Sequence, residues 1–266
     1  MGVDAERNPV FILPHSVRSA ETDLRGRLSL RALCELLQES GGRHAASLGV
    51  GAADLGPMGL AWVLIQWSVR IEACPAGHAA LTVETWPSGL TERTATRDFL
   101  LRDAGGGLLA RATSHWVMLD LQRRRPVRMP DVVRRIPLAP RPRALDEGLL
   151  RLPAPGPSAE AAEFTVRWSD LDANGHVNNL AYVEWTVESV PREMLRSSGF
   201  RRFDISFRAE TGDGATVRVV REQERQNPPD ETVTLRHRIV ETANGRELAL
   251  ARTTLSPDEN VPLVTE

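Results

Sequence analysis

The chain has 266 residues, of which 41% are hydrophobic, and its formal charge at pH 7 is −2. This hydrophobic fraction is enough for a packed core and excludes wholesale disorder, while the length fits one large domain or two of about 120 residues. The small net charge argues against generic nucleic-acid binding, and charge or glycine interrupts every apolar stretch before the ~18–20 residues that a membrane span needs. We therefore expect a globular protein with neither nucleic-acid binding nor membrane insertion.

The N-terminal half is predicted to form one strand, one helix and then four strands. A strand-like run covers residues 10–17, and Ser29 is a favourable N-cap for the helix that follows. Gly41 and Gly42 are expected to weaken that helix. One side of the helix carries Leu30, Leu33, Leu36 and Leu37. The four later strand segments cover residues 60–71, 79–86, 91–102 and 108–121.

A proline-rich stretch separates this half from the next. Residues 136–162 contain Pro137, Pro140, Pro142, Pro153, Pro155 and Pro157. Proline fixes φ and removes a backbone donor, so this stretch cannot continue a helix or a central strand. We therefore predict an N-terminal domain over residues 1–136, a linker over 137–162 and a C-terminal domain over 163–266.

The C-terminal half repeats the same order of elements. A strand at residues 163–168 leads into a loop and a helix at 178–195, and Asn244–Gly245 is a strong hairpin turn. The remaining strand segments cover residues 203–209, 215–224, 232–241 and 247–255. This repetition predicts a duplicated α+β unit, in which an antiparallel sheet wraps around one long helix.

Direct comparison of the two halves leaves the register of the repeat open. The triplet Thr22-Asp23-Leu24 matches Ser169-Asp170-Leu171, after which a two-residue gap is needed. The matches that follow have an offset of 149, whereas the apolar phase of the helices favours 150. They pair Gly26, Ala32, Glu35 and Glu39 with Gly175, Ala181, Glu184 and Glu188.

The densest group of polar residues lies directly before the second helix. Asp172, Asn174 and His176 alternate there, and a helix N-terminus has free N–H groups that attract developing negative charge. Acyl transfer needs this combination, because one group must polarise water, others must orient it, and backbone donors must hold the oxyanion. These three residues are therefore candidates for catalysis.

Three structural interpretations compete with the catalytic one. The segment starts like a calcium-binding EF-hand loop, but the bidentate Glu required at its twelfth position is replaced by Ala181. Asn178 or Asn179 is expected to cap the helix, which leaves Asp172 and His176 without a role. The last alternative, a structural histidine, is preferred for the other five: His15, His44, His78, His115 and His237.

Several segments together resemble the acyl-acyl carrier protein (acyl-ACP) thioesterases, a plant and bacterial family that releases fatty acids. Residues 167–182 read RWSDLDANGHVNNLAY and resemble the family's signature. Residues 96–103 (TRDFLLRD) and 110–118 (ARATSHWVM), followed by Arg125, Met129, Pro130 and Asp131, look like the end of its first domain. Residues 205–210 (ISFRAE) resemble its later strand with a catalytic Glu. The likeness covers residues 8–256 and implies two tandem hotdog domains.

The resemblance places the family's catalytic Asp, Asn and His on Asp172, Asn174 and His176, and its Glu on Glu210. Thr211 stands where the plant pattern has Cys, and neither Cys34 nor Cys74 lies near the motif, so a cysteine nucleophile is not expected. The first repeat has Arg25, Gly26 and Arg27 before its helix instead of an Asp, Asn and His set. We therefore expect one active site, in the second domain, with the first domain binding the acyl chain.

The expected reaction is thioester hydrolysis in fatty acid biosynthesis, without metal or organic cofactor. Glu210 is expected to lie on a strand and to act as the base that activates water, while Asn174 and His176 orient that water. Asp172 is expected to fix the loop. In single-hotdog CoA thioesterases, however, the matching Asp acts as base or nucleophile. The partner would be an acidic acyl carrier protein docking on Arg123–Arg125 or on the arginines of residues 134–143. Acyl-CoA hydrolysis and non-catalytic acyl or carrier-protein binding are the alternatives.

Compartment and assembly follow from weaker signals. The first 25 residues carry Asp4 and Glu6 where a secretion signal would be basic, and they contain no transit peptide pattern. Two cysteines are too few for a disulfide framework. These features favour a bacterial, cytoplasmic protein. Because hotdog domains pair through sheet edges, a homodimer stays an alternative to pairing within the duplicated chain.

Overall fold

The chain divides into two compact units. One comprises residues 1–18 and 35–149, and the other comprises residues 19–34 and 150–266. The computed structural model describes residues 8–156, 159–173, 175–224 and 232–257, so Asn174 lies outside the described residues. No helix within these ranges has the length and apolar character that crossing a membrane requires.

The first unit contains an antiparallel sheet with strand order β1-β3-β4-β5-β2, and β6 pairs with β5 at its end. Its strands are β1 (Phe11–Ser16), β2 (Leu60–Ile71), β3 (Ala80–Leu90), β4 (Thr94–Asp103), β5 (Leu108–Asp120) and β6 (Arg125–Val127). The helices are α1 (Leu30–Ser47), which begins in the segment assigned to the other unit, α2 (Ala52–Leu55) and α3 (Asp131–Arg134). The four leucines predicted to share one side of α1 are all buried.

The second unit has a five-stranded antiparallel sheet with strand order β8-β11-β10-β9-β7. Its strands are β7 (Glu160–Thr165), β8 (Ser198–Phe207), β9 (Thr216–Gln223), β10 (Val233–Glu241) and β11 (Glu247–Pro257). Its helices are α4 (Asn179–Glu188) and α5 (Arg192–Ser197). Tyr182 of α4 packs edge-on against Phe207 of β8, with ring centroids 5.6 Å apart. The α+β class predicted from the element order is confirmed.

Helix α1 continues through the two glycines that were expected to weaken it. Gly41 lies so close to β4 that a Cβ there would be 3.3 Å from Cδ of Arg97 and 3.7 Å from the Phe99 ring. The absence of a side chain therefore allows helix and sheet to approach, and packing against the sheet compensates for the low helix propensity of glycine.

The single helix predicted at residues 178–195 is wrong, because the structure has two helices there. Helix α4 ends at Glu188, and Pro191 is the N-cap of α5. Proline lacks the N–H that a continuous helix would need and clashes with the preceding turn, so the chain bends at this point.

Two strand boundaries also differ from the prediction. Strand β7 starts at Glu160, inside the predicted linker, and β8 runs over Ser198–Phe207 instead of residues 203–209. The polar start of β8 belongs to the sheet because it pairs with β11, beginning with Ser198 opposite Pro257. As a consequence, Glu210 lies in the loop after β8. The expectation that Glu210 lies on a strand is therefore wrong.

The structure fixes the register of the internal repeat at an offset of 149. Phe11 and Glu160 begin equivalent strands, Ser19 and Trp168 begin equivalent 3-10 helices, and Leu30 and Asn179 begin equivalent α-helices. No gap is needed anywhere in this segment. The match of Thr22-Asp23-Leu24 with Ser169-Asp170-Leu171 is therefore wrong, and Asp23 is the counterpart of Asp172.

Candidate active site

A tight turn directly before α4 contains two of the predicted site residues, Asp172 and His176. Leu171 and Val177 form an isolated antiparallel bridge that closes the turn. Within it, the Asp172 N–H donates to His176 O at 2.8 Å, and the Gly175 N–H donates to Asp172 O at 3.0 Å. Gly175 has φ +75°, a left-handed conformation that glycine adopts without strain. The turn therefore has a defined shape, which fixes the backbone of His176.

Asp172 stabilises this turn with its side chain. Its Oδ1 accepts the His176 N–H at 3.2 Å, so the carboxylate bridges the start and the end of the turn. Asp and Asn commonly bond to their own backbone a few residues on and thereby shape turns. The contact therefore joins the two ends of the turn.

His176 and Glu210 are brought together by this arrangement. Nε2 of His176 lies 3.7 Å from Oε2 of Glu210, and the two side chains are 39% and 44% exposed. This separation is longer than a direct hydrogen bond but short enough for an ion pair when the imidazole is protonated, or for a water that contacts both groups. The pair is therefore open to solvent and to a substrate.

The loop with Glu210 is held by three contacts within the second unit. Val177 N–H donates to Thr211 O at 3.2 Å, which joins this loop to the turn before α4. Arg246 Nη2 donates to Glu210 O at 2.7 Å, and the Tyr182 hydroxyl lies 3.5 Å from Ala209 O. Burial, and then the Glu210 carboxylate, raise the pKa of Tyr182, so its phenol remains protonated as a donor.

Helix α4 begins beside these groups. Asn178 is its N-cap, and its Oδ1 accepts the Leu180 N–H at 3.0 Å, which settles the choice between Asn178 and Asn179. The N–H groups of Gly175, His176, Val177, Asn178, Leu180 and Ala181 all have partners. Among the described residues, none accepts a hydrogen bond from the Asn179 N–H.

The first repeat contains a matching turn with different chemistry. Asp23 N–H donates to Arg27 O at 2.7 Å, and Asp23 Oδ1 accepts the Arg27 N–H at 3.2 Å, as Asp172 does with His176. Gly26 has φ +70° like Gly175. Arg25, at the position equivalent to Asn174, bonds Asp23 Oδ2 and Ser198 O. The expectation that the first repeat lacks the Asp is thus wrong, whereas the replacement of Asn and His by arginine is confirmed.

Three of the other five histidines have buried, structural surroundings. His44, His115 and His237 are buried, and His237 bonds Ser189 Oγ at 3.1 Å and Thr253 Oγ1 at 2.9 Å. Both cysteines are free thiols, and burial raises the pKa of Cys34, which disfavours its thiolate. In the part of the chain that the structure describes, no group of three or more His, Cys, Asp or Glu side chains is arranged to hold a metal ion.

Sequence reasoning missed the residues that hold the Glu210 loop from the β10–β11 hairpin. Glu241 and Arg246 flank the predicted Asn244–Gly245 turn, and Arg246 Nη2 reaches the backbone of Glu210. The turn motif places these two side chains near each other across the hairpin. Nothing in the local sequence indicates that they contact a loop some 30 residues earlier.

The chain with these two tandem antiparallel sheets, each with a helix, and the turn before α4 matches known protein families. Residues 9–136 match the acyl-ACP thioesterase N-terminal domain, and residues 156–257 match the acyl-ACP thioesterase C-terminal domain. The chain belongs to the acyl-ACP thioesterase family. The fold predicted for it, two tandem hotdog domains, is thereby confirmed.

Curated relatives and solved structures of this family are similar over most of the chain. A chloroplastic acyl-[acyl-carrier-protein] hydrolase of Cuphea viscosissima is 28% identical over 91% of this chain and 61% of its own. An oleoyl-acyl carrier protein thioesterase of Coriandrum sativum is 30% identical over 73% of this chain and 57% of its own. The chain thus spans about three-fifths of the length of these relatives.

Among solved structures, the 12:0-ACP thioesterase from Umbellularia californica superposes with a TM-score of 0.84 and 28% identity, covering 95% of each chain. An acyl-ACP thioesterase from Bacteroides thetaiotaomicron has a TM-score of 0.81 and 24% identity, covering 95% of this chain and all of that one. The second likeness supports the fold alone.

Proposed function

We propose that this protein hydrolyses the thioester of a fatty acyl-acyl carrier protein to free fatty acid and carrier protein. The observation that carries the proposal is the approach of His176 to Glu210 beside the start of α4, at 3.7 Å. Family membership supplies the substrate class, since the similar proteins are named acyl-ACP hydrolases and thioesterases. The proposed site consists of Asp172, Asn174, His176 and Glu210, of which Asn174 lies outside the described residues.

In the proposed reaction, Glu210 acts as a general base. It takes one proton from a water molecule as the water oxygen attacks the thioester carbonyl carbon, and the carbonyl electron pair moves onto the oxygen. The resulting tetrahedral oxyanion collapses, the C–S bond breaks, and the carrier thiolate receives the proton from Glu210. His176 and Asn174 orient the water and the Glu210 carboxylate.

The oxyanion needs donors that are in place before the reaction. The Asn179 N–H lies in the first turn of α4, where the helix dipole also favours negative charge. Every other backbone donor from Gly175 to Ala181 is occupied. We therefore assign the Asn179 N–H as the backbone donor to the oxyanion.

In this scheme Asp172 stabilises the turn and does not take part in proton transfer. Its equivalent, Asp23, makes the same two contacts with Arg27 in a turn that has no histidine. An aspartate that recurs with the same hydrogen bonds where the other site residues are absent is needed for the turn. This supports Glu210, not Asp172, as the base.

The residue after Glu210 and the burial of Cys34 support a route without a cysteine nucleophile. Thr211 follows Glu210, and Cys34 is buried in α1 with its pKa raised by that burial. Two free thiols are also what a reducing compartment such as the bacterial cytoplasm would maintain, and we propose that location.

The carrier protein would dock on the first unit. A groove of about 600 Å³, here called the arginine groove, is lined by Arg93, Arg125, Pro126, Val127 and Arg128. Arg128 pairs with Glu92 at 2.9 Å, whereas the exposed side chains of Arg93 and Arg125 form no ion pair with any described residue. Such charges can attract an acidic partner and raise its association rate.

Part of the other predicted docking cluster is already used inside the unit. Arg141 pairs with Glu84 at 3.1 Å and stacks on Trp86, with its guanidinium carbon 4.0 Å from the ring centroid. Arg143 pairs with the buried Asp98 at 2.7 Å. These two arginines hold the segment after α3 against the sheet, so the docking proposal rests on the arginine groove.

The test compares two variants on a labelled acyl-acyl carrier protein. General-base catalysis contributes about 10²–10⁴-fold, so Glu210→Gln should lower kcat by that range. Glu163→Gln is the matched control, because Glu163 is similarly exposed and pairs with Arg218 on another part of the unit. Asp172→Asn keeps the acceptor oxygen of the turn and should lower kcat less than Glu210→Gln does.

Each outcome separates the alternatives. Loss of activity in Asp172→Asn, retention in Glu210→Gln and a trapped acyl group on Asp172 would reassign the base while leaving the reaction unchanged. Release of free acid from acyl-CoA at an equal or higher rate would make the protein a CoA thioesterase. Binding of acyl-acyl carrier protein without any release of acid would make it a non-catalytic acyl-binding protein.

A further inference from the structure

Glu241 lies at the centre of a cluster that contacts the Glu210 loop. It is the last residue of β10, and its side chain is 14% exposed. Its Oε1 accepts the Thr211 hydroxyl at 2.9 Å, and its Oε2 accepts Arg246 Nη2 at 3.3 Å as well as Asn244 Nδ2. Three donors from two different segments therefore converge on one carboxylate.

Two of these donors, Arg246 and Thr211, also contact the backbone around Glu210. Arg246 Nη2 donates to Glu210 O at 2.7 Å in addition to its contact with Glu241. Thr211 is buried, and its carbonyl accepts the Val177 N–H from the turn that contains His176. The cluster thus joins the hairpin, the Glu210 loop and the His176 turn through a continuous set of hydrogen bonds.

The cluster is suited to remain charged at neutral pH. Hydrogen bonds from Thr211 and then Asn244, followed by the charge of Arg246, lower the pKa of Glu241. A charged acceptor forms stronger hydrogen bonds than a neutral one, so the ionised Glu241 holds Thr211 and Arg246 firmly.

We propose that Glu241 is a positioning residue for Glu210, acting through Thr211 and Arg246. The inference rests on the proposed function, in which Glu210 and His176 act together. Glu210 is on a loop and not on a strand, so its position relative to His176 depends on what anchors the loop. A misplacement of about 1 Å can cost up to ~10²-fold in rate, and Thr211 and Arg246 are the side chains through which the hairpin restrains the loop.

The experiment measures kcat and KM on acyl-acyl carrier protein for variants of the cluster. Glu241→Gln removes the charge, Thr211→Val removes the hydroxyl with little change of shape, and Thr211→Ser restores it. We expect kcat to fall about tenfold in Glu241→Gln and in Thr211→Val with KM unchanged, and to recover most of its value in Thr211→Ser. Glu224→Gln is the matched control, since Glu224 pairs with Arg236 at 2.7 Å in the same unit and is 24% exposed.

A second measurement separates positioning from general loss of structure. In a Glu210→Gln background, Thr211→Val should lower the residual rate far less than in the parent, because the group that it positions is already gone. If Thr211→Val does not fold, Arg246→Gln takes its place in the same double-mutant comparison, because Arg246 is half-exposed and its replacement is less disruptive.

Two results would overturn the inference. An unchanged kcat in folded Glu241→Gln and Thr211→Val, when Glu210→Gln is inactive, shows that the hairpin does not position Glu210. Equal rate losses from Thr211→Val in the parent and in the Glu210→Gln background show a merely structural effect. If Glu210→Gln itself keeps full activity, the proposed role of Glu210 fails, and that failure is visible before the cluster is considered.

Discussion

At the scale of single residues, the duplicated turn separates shape from chemistry. Asp172 and Asp23 make equivalent bonds to the residue four positions later, and each turn has a left-handed glycine. Only the second turn places a histidine near a carboxylate on another loop. In the first, Arg25 pairs with Asp23 at 2.9 Å, so its aspartate is neutralised within the turn. The proposed chemistry thus depends on side chains added to a turn that forms without them.

Buried histidines make the stability of the protein depend on pH. Burial and then Arg221 lower the pKa of His237 to about 3, and burial and then Arg97 lower the pKa of His44 to about 4. The unfolded chain titrates these groups near pH ~6.5 and therefore binds more protons than the folded chain between about pH 6.5 and 4. The free energy of unfolding should fall as the pH is lowered through this window, by about 1.4 kcal/mol per pH unit for each histidine.

The His237→Gln variant checks this prediction by urea denaturation from pH 7.5 to 4.5. The glutamine amide can still bond Ser189 and Thr253 but does not titrate. The free energy of unfolding of the variant should therefore change less with pH than that of the parent, by about 1.4 kcal/mol per pH unit. At pH 7.5 the parent histidine is neutral in both states, and the difference there measures packing alone. Parallel curves below pH 6.5 would contradict the assignment.

At the scale of elements, each part of the site stands at the end of a regular element. His176 precedes α4, Glu210 follows β8, and Glu241 ends β10. The ends of elements carry unpaired backbone groups, which here bond neighbouring loops: Val177 N–H with Thr211 O, and Asn178 N–H with Asp170 O at 2.8 Å. The sheet and the helix fix these ends, and the loops bring the reactive groups together.

The N-cap of α4 provides a prediction at this scale. Asn178→Ala removes the acceptor for the Leu180 N–H and should lower the free energy of unfolding by about 1 kcal/mol, within the usual range of ~0.5–2 for such caps. Asn179→Ala is the control, because it retains both the cap and its own backbone N–H. Denaturant unfolding of the two variants gives the comparison, and an equal loss in both would rule out Asn178 as the functional cap.

At the scale of the whole molecule, binding and chemistry are assigned to different units. The arginine groove belongs to the first unit, whereas His176, Glu210 and Glu241 belong to the second. The net charge of −2 gives no general attraction for an acidic carrier, so recognition would depend on where the arginines stand. A local cluster of cations is therefore required if the substrate is delivered by an acidic protein.

Reversing two charges in the groove tests this requirement. Arg93→Glu combined with Arg125→Glu should raise KM for acyl-acyl carrier protein about tenfold at low salt and weaken its salt dependence, with kcat unchanged, because charges at a rim act mainly on association. Initial rates at two ionic strengths provide the measurement. The control combines Arg43→Glu with Arg192→Glu, which changes the net charge equally at exposed, paired positions. The same KM change in both variants would place docking elsewhere.

The sequence alone determined the features that local physics controls. The leucine spacing of α1 and the Asn-Gly hairpin between β10 and β11 predicted what the structure has. Each depends on backbone geometry or on hydrophobic periodicity over a few residues. The segment before α4 was predictable as a candidate site for the same reason, since Asp172 and His176 are close in sequence and share one turn.

The tertiary structure decided what depends on register between distant segments. The end of β8 at Phe207, the 149-residue offset of the repeat and the contacts of Thr211 and Arg246 with Glu241 follow from which strands pair and how they are aligned. A residue on a strand end meets partners chosen by the sheet, and its own neighbours in sequence do not indicate them. The sequence therefore predicted the candidate groups, whereas the distance between His176 and Glu210 was fixed by hydrogen bonds between loops that only the folded sheet brings into contact.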